Sequence, residues 1–188
     1  QTAVNFLNSY NRAEPFFLKV SFARPHSPYD PPERLWKKYR DAPLPEASVG
    51  DWAAKNAPRN SDRDDIWRGD LGKAQVRESR RGYYASVEFV DEQVGRILEA
   101  LERRGWLENT LIVFTSDHGE EFHEHGGWWH GLSLYDEQIA VPLMFKLPQN
   151  QQAGKESQFI ARHVDLGPTL LQFANADPKE ALDAKMQG

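Results

Sequence analysis

The stretch TLIVFTSDHGEEFHEHGGWWHGLSLYDEQIAVPLMFKL, from Thr110 to Leu147, decides the fold. It opens with a continuous apolar run over Thr110 to Thr115, which is typical of a strand buried on both faces of a parallel sheet. A second apolar run, Val141 to Leu147, predicts another strand. The polar residues between them begin where the first strand ends. The stretch therefore predicts two strands joined by a polar segment that can supply catalytic or metal-binding side chains.

The flanking segments add a further strand and two helices. Pro15 to Phe22, PFFLKVSF, predicts a short buried strand. From about Lys73 to Arg104 apolar residues recur at helical spacing, and Gly105 is suited to end that helix. A last helix is expected over His163 to Ala174, with its apolar side chains facing the sheet. This order predicts an α/β fold, mainly a parallel sheet flanked by helices.

Two segments are expected to be loops. Between Pro25 and Pro58 prolines recur so often that any helix there must be short. Pro148 to Ser157 is polar and has the composition of a surface loop.

Composition excludes several classes of protein. The formal net charge of -5 and the shortness of the basic clusters argue against a nucleic-acid partner, which would require a concentrated basic surface. No run approaches the roughly 18 apolar residues that a membrane-spanning helix needs, so membrane insertion is not expected. The chain has no cysteine, which excludes disulfides and thiolate metal sites but leaves the compartment open.

Asp117 and His118 follow the first predicted strand of the central stretch directly. A carboxylate beside an imidazole can bind a divalent cation, although such a pair, without its context, more often caps a turn. His26 similarly follows the strand predicted over Pro15 to Phe22. Because ligands of open parallel sheets bind beyond the carboxyl ends of strands, we expect these residues to face one cleft.

His123 and His125 lie two residues apart and offer an alternative, a zinc site. We favour a polar loop in which one histidine supports its neighbours, because no third ligand has a spacing typical of zinc. The tryptophans Trp128 and Trp129, which precede His130, are expected to pack in the core.

In combination these motifs resemble the type I sulfatases of the alkaline phosphatase superfamily. The central stretch resembles the sulfatase block of a strand, Ser-Asp-His-Gly, and then Tyr-Asp-Glu before Val-Pro-Leu. Three other segments resemble further sulfatase blocks in the family's order: Pro15 to Pro32, Arg81 to Ala100 and His163 to Leu171. The resemblance identifies residues 1–188 as the C-terminal part of a sulfatase catalytic domain.

The resemblance implies a metal-dependent hydrolase of sulfate esters. Asp117 and His118 match two metal ligands, and the family's usual cation is Ca²⁺, with Mn²⁺ or Mg²⁺ as alternatives. The two further aspartates and the formylglycine nucleophile, made from Cys/Ser-x-Pro-x-Arg, belong to an upstream segment of the family. That motif does not occur in this sequence. We therefore expect the remainder of the catalytic domain to be a required partner and the isolated chain to be inactive.

His26 matches a sulfatase histidine that contacts the sulfate, so the resemblance implies a hydrogen-bond donor or general acid. His130 stands thirteen residues beyond Asp117, where many relatives carry a lysine. This departure puts the substrate class in doubt, because an imidazole is charged only below a pKa of about 6.5 unless an anion raises that pKa. His125 is expected to support the site, and Tyr135, Asp136 and Glu137 to position the loop.

Three functions remain open. Sulfate-ester hydrolysis, with a carbohydrate or a small aryl or alkyl sulfate as substrate, agrees best with the motifs. Hydrolysis of phosphonate monoesters or phosphodiesters is favoured by the Asp117-His118 pair and by the lost lysine, since related enzymes often carry that pair. A non-catalytic, anion-binding domain is the third possibility, because the nucleophile is absent from this chain.

Overall fold

The computed structural model describes residues 1–53, 72–131 and 133–176. The chain divides into two compact units, residues 1–151 and residues 152–188. The described helices of the first unit are α1 (Thr2–Ser9), α2 (Glu33–Arg40), α3 (Gly72–Arg103) and α4 (Asp136–Ile139). Its strands are β1 (Ile112–Thr115), β2 (Glu121–Phe122), β3 (Trp128–Trp129) and β4 (Leu143–Lys146), and two short 3₁₀ helices span Leu107–Asn109 and Pro148–Asn150.

The long helix α3 confirms the prediction from apolar periodicity almost to the residue. It ends in a Schellman motif, in which the backbone N–H of Trp106 donates to Leu101 and that of Gly105 donates to Glu102, at 2.9 and 2.8 Å. Gly105 has a φ of +68°, a backbone conformation that glycine adopts without steric cost. The chain reverses direction at this turn and continues into β1.

A small apolar core joins α1 to the C-terminal half of α3. Leu7, Ala100 and Leu101 are buried, and the partly buried side chains of Phe16 and Leu18, which lie within the extended segment 15–22, pack against them. The strand predicted over Pro15 to Phe22 was wrong, because no pairing strand accompanies this segment among the described residues. An extended chain becomes a strand only when a neighbour takes its backbone hydrogen bonds.

The pairing of the strands also differs from the expected parallel sheet. β1 pairs with β4 and β2 with β3, and both pairs are antiparallel. The two runs predicted as strands therefore exist, over Ile112–Thr115 and Leu143–Lys146, but within the described part of the chain they pair with each other. Apolar runs identify buried strands without revealing the direction of their partners.

The loop after the extended segment is anchored to α3 through Gly82. A Cβ atom at Gly82 would lie 2.5 Å from the backbone oxygen of Tyr29, so only glycine permits this approach. Helix α2 lies beside α3, where Lys38 donates to both carboxylate oxygens of Glu88 at 2.6 and 2.7 Å. These contacts fix the start of the proline-rich segment, whose residues 54–58 lie outside the described ranges.

The second unit contains α5 (His163–Phe173), as the sequence predicted. The Asp165 carboxylate accepts a hydrogen bond from the backbone N–H of Arg162 at 2.9 Å and pairs with its guanidinium, which caps the helix. None of the described helices has the length and apolar character needed to cross a membrane.

Candidate active site

Three histidines that are distant in sequence meet beyond the end of β1. The ring of His130 stacks on that of His118 with centroids 3.6 Å apart, and His26 lies 4.9 Å from His130 and 6.0 Å from His118. One nitrogen from each ring lies within 4.8 Å of the others, and these three form the one such metal-ligating group found among the described residues. His26 and His118, which the sequence analysis expected to face one cleft, therefore lie close together.

The hydrogen bonds of the three rings all use the same nitrogen. Nδ1 of His26 lies 2.7 Å from the carbonyl oxygen of Ser27, and Nδ1 of His118 lies 2.8 Å from the carbonyl oxygen of Gly119. Nδ1 of His130 lies 2.8 Å from Oε1 of Glu120. Carbonyl and carboxylate oxygens only accept hydrogen bonds, so Nδ1 is the donor in each ring. In the neutral rings Nε2 therefore carries the free lone pair.

Glu120 is a site residue that the sequence analysis missed. Its side chain is only 3% exposed, and it orients His130. Burial raises the pKa of Tyr29 well above its ordinary value, and the charge of Glu120 raises it further. The pKa of Tyr83 is raised for the same two reasons. Two neutral phenols thus lie near one buried carboxylate, which also pairs with the imidazole of His130.

Asp117 differs from the histidines in its exposure. Its carboxylate is 89% exposed and lies 3.8 Å from Nε2 of His118, and its Oδ1 accepts the backbone N–H of His118 at 3.1 Å. One accessible carboxylate beside an imidazole nitrogen fits a divalent cation that accepts mixed oxygen and nitrogen ligands. Calcium takes six to eight oxygen ligands, and the described residues at this site do not supply that number.

A buried carboxylate, Glu121, fixes the loop that carries both His118 and His130. Glu121 is 1% exposed and its Oε1 accepts the backbone N–H groups of His125 and Gly127 at 3.1 and 3.0 Å. Its Oε2 accepts the side-chain amide of Gln138 at 2.8 Å. The backbone oxygen of Gln138 in turn accepts the N–H of Gly119 at 2.7 Å. The only sequence signal for this network was a pair of acidic residues directly after Gly119.

His123 and His125 do not converge. His123 stacks on Trp128, whereas His125 stacks on Tyr135 with centroids 3.7 Å apart. Nε2 of His125 lies 2.7 Å from the carboxylate of Glu137. This arrangement agrees with the preferred interpretation of a polar loop and gives Glu137 its positioning contact. Trp128 is 3% exposed, as expected for a core tryptophan.

The family model described as Sulfatase matches residues 1–176. The chain is 36% identical over 185 residues to the arylsulfatase of Clostridium perfringens. The matched region covers 96% of this chain and 38% of that protein.

Two solved structures are also similar. One, in complex with its substrate D-glucosamine-2-N,6-O-disulfate, is 27% identical with a TM-score of 0.74, covering 94% of this chain and 47% of the other. The other is the phosphonate monoester hydrolase of Agrobacterium radiobacter, which is 29% identical with a TM-score of 0.71. The match covers 90% of this chain and 36% of the hydrolase chain. The chain therefore spans less than half the length of these relatives and has the alkaline phosphatase-like fold.

Proposed function

Because the chain belongs to the sulfatase family, we propose that the protein containing it is a metal-dependent hydrolase of sulfate esters. The observation that supports this most directly is the meeting of His26, His118 and His130, whose ligand atoms lie within 4.8 Å of one another. Two of these residues match the family's motifs, and the third occupies the place of its lysine. The substrate class we propose is a carbohydrate or aryl sulfate, since similar proteins include an arylsulfatase and a structure bound to a sulfated sugar.

Asp117 and His118 are the proposed metal ligands. Sulfatases generally use a metal ion and formylglycine, and the metal polarises the ester oxygens when bound. The exposed carboxylate of Asp117 is open to a cation, and the Nδ1 hydrogen bond to Gly119 leaves Nε2 of His118 available as a ligand. Calcium, the family's usual ion, is the proposed metal, with Mn²⁺ or Mg²⁺ as alternatives.

His26 and His130 are the proposed donors to the transferred group and to the leaving oxygen. Hydrolysis breaks the bond between sulfur and the ester oxygen, and the departing alcohol needs a proton. His26, on an exposed turn, can give that proton from Nε2 when its ring is protonated. His130, whose Nδ1 is held by Glu120, would donate to the sulfate oxygens from its own Nε2.

The remainder of the catalytic domain is the proposed partner of this chain. Several apolar side chains of the first unit are exposed, including Phe114 at 37%, Met144 at 56% and Phe145 at 41%. Phe114 and Met144 are register partners in the β1–β4 pair. A sheet that exposes such side chains is suited to a further layer. The chain spans only 38% of the arylsulfatase to which it is similar, so the rest of such a protein can supply that layer.

Phosphonate monoester hydrolysis is the second candidate. It is favoured by the similarity to a phosphonate monoester hydrolase and by His118 in the metal-binding pair. Both reactions would use the same four side chains, so the substrate preference has to be measured.

The test compares hydrolysis of matched aryl sulfate, aryl phosphonate monoester and phosphodiester substrates by the full-length protein with Ca²⁺ or Mn²⁺. We expect the sulfate to be preferred and Asp117→Ala to lose most of the activity, whereas His123→Asn should retain it. His123 has a φ of +75°, which asparagine tolerates well. Preference for a phosphoester would favour the second candidate, and full activity of Asp117→Ala would contradict the metal assignment.

A further inference from the structure

We infer that Glu120 is a positioning residue for the proposed reaction and that it acts through His130. Its carboxylate decides which nitrogen of the His130 ring is left for the ester, Nε2 and not Nδ1. The role of Glu120 in the reaction rests on the proposed function, whereas its effect on the His130 ring does not.

The stack on His118 fixes the plane of the His130 ring but not its direction. The two ring centroids lie 3.6 Å apart, with 22° between the planes. Rotation of the His130 ring by 180° about its Cβ–Cγ bond preserves the plane and the stack, yet it exchanges the positions of the ring nitrogens with those of ring carbons. A second contact is therefore needed to select one of the two orientations.

Glu120 supplies that contact. Its Oε1 lies 2.8 Å from Nδ1 of His130, and a carboxylate only accepts hydrogen bonds, so Nδ1 carries the proton. In the rotated ring a carbon would take the place of Nδ1, and the buried carboxylate would lose this hydrogen bond. Because a buried charge without its partner is costly, the observed orientation is strongly preferred.

Aromatic rings keep water away from the Glu120 carboxylate, whose side chain is 3% exposed. Tyr29 and Tyr83 pack on Phe122 with centroids 5.4 and 5.1 Å from it, and on each other at 6.0 Å. Burial, and then the charge of Glu120, raise the pKa of both phenols, which agrees with their position near the carboxylate. With little competing water, the hydrogen bond to His130 is strengthened.

The rings around Glu120 come from three separate parts of the chain. Tyr29 lies three residues after His26, Tyr83 is in α3, and Phe122 is in β2. The environment of Glu120 therefore depends on tertiary contacts, and it connects the turn that carries His26 with the loop that carries His130.

A histidine at position 130 needs such a partner more than a lysine would. An ammonium group has three equivalent donors on a flexible stem and can direct one of them at an anion from many positions. An imidazole has two distinct nitrogens in a rigid ring, so its contact with the ester depends on its orientation. Glu120 therefore complements the departure of His130 from the family's lysine.

The kinetic test is a double-mutant cycle in the full-length protein, with Ca²⁺ and an aryl sulfate as substrate. Glu120→Gln has nearly the same shape, but its amide can donate as well as accept and so no longer selects a protonated Nδ1. We expect kcat/KM to fall about 10–100-fold, the usual range for removing the partner of a functional histidine. In a protein that already carries His130→Ala, the same change should alter kcat/KM less than about threefold.

Glu137→Gln is the matched control, because Glu137 lies at a similar distance, 2.7 Å, from Nε2 of His125. It should change kcat/KM no more than a few-fold. Urea unfolding of each variant shows whether lost stability explains lost activity. Equal losses from Glu120→Gln with and without His130 would overturn the inference, because Glu120 would then act independently of that ring.

A spectroscopic test needs no substrate and begins with the unaltered protein, so it applies even if Glu120→Gln does not fold. In full-length protein labelled with ¹⁵N-histidine, the His130 signals are those that His130→Ala lacks. Nδ1 of His130 should show the one-bond coupling to a proton, and Glu120→Gln should shift protonation partly to Nε2. Glu137→Gln should leave the His130 signals unchanged. A ring protonated only at Nε2 in the unaltered protein would contradict the inference.

The two tests also separate the role of Glu120 from the proposed function. A protonated Nδ1 that responds to Glu120→Gln, in a protein that hydrolyses no sulfate ester, would contradict the proposed function and support the positioning of His130. Sulfate-ester hydrolysis that Glu120→Gln leaves unchanged would support the function and overturn the inference.

Discussion

Two stacked pairs of rings in this chain have nearly the same geometry and opposite chemistry. His118 and His130 stack with centroids 3.6 Å apart and an interplanar angle of 22°, and His125 and Tyr135 stack at 3.7 Å and 10°. In the first pair both histidines use Nδ1 for hydrogen bonding and leave Nε2 free. In the second, Nε2 of His125 is held by Glu137. The nitrogen that is left free, and not the presence of a histidine, distinguishes a reactive ring from a supporting one.

The largest effect on activity is expected from removing His26 from the group that it forms with His118 and His130. His26→Ala in the full-length protein should lower kcat for an alkyl sulfate about 100-fold or more, because general acid catalysis contributes at least this factor. Steady-state kinetics at saturating metal measures the loss. The loss should be smaller for a substrate whose leaving group needs no proton, such as a nitrophenyl sulfate, and an equal loss on both substrates would argue against a general acid.

The next effect is expected from the carboxylate that holds both stacks in place. Glu121→Leu leaves the N–H groups of His125 and Gly127 without their acceptor. Each such buried donor costs about 1–3 kcal/mol, so unfolding in urea should begin at clearly lower concentration. Glu121→Gln keeps one acceptor oxygen and should lose less. Equal stability of the two variants would show that this network contributes little.

A smaller effect is expected from the supporting ring. His125→Phe keeps the stacking on Tyr135 but loses the hydrogen bond to Glu137. The stability should fall by about 1 kcal/mol, the usual value of one hydrogen bond, while kcat/KM changes only a few-fold. A loss of activity comparable with that of His26→Ala would place His125 in the chemistry and overturn the comparison.

The smallest effect is expected far from both stacks, at the ion pair between α2 and α3. Hydrogen bonds from Lys38 and Tyr39 lower the pKa of Glu88 below its ordinary value. A lowered folded-state pKa stabilises the fold above the unfolded pKa of about 4.3, and this stabilisation is lost as the pH falls through the folded pKa. Lys38→Ala should therefore reduce stability slightly at pH 7 and hardly at pH 3. Urea unfolding at both values measures the difference, and equal losses would exclude the ion pair as the cause.

The elements that depend on local sequence were largely predictable. Helix α3 was located from its apolar spacing and from Gly105, and β1 and β4 from their apolar runs. The segment Pro15 to Phe22 was not, because a strand requires a partner that local sequence does not specify. The antiparallel pairing of β1 with β4 was missed for the same reason.

Within the site, the identities of the residues were easier to predict than their roles and the buried side chains that position them. His26, Asp117, His118 and His130 were all named from motifs, and the three histidines among them meet. Their roles as ligands or donors stay predictions. Glu120 and Glu121 were missed, since an acidic side chain in a loop is ordinarily exposed.

The sequence by itself determined the family, the positions of α3, α5, β1 and β4, and the identities of the candidate site residues, because these depend on motifs and on spacing along the chain. Only the tertiary structure decided which nitrogen each histidine leaves free, that Asp117 is exposed while Glu120 and Glu121 are buried, and that His26 reaches His130. These properties depend on which acceptors the folded backbone places beside each ring. Contacts between residues that are distant in sequence set that placement, and local patterns do not encode it.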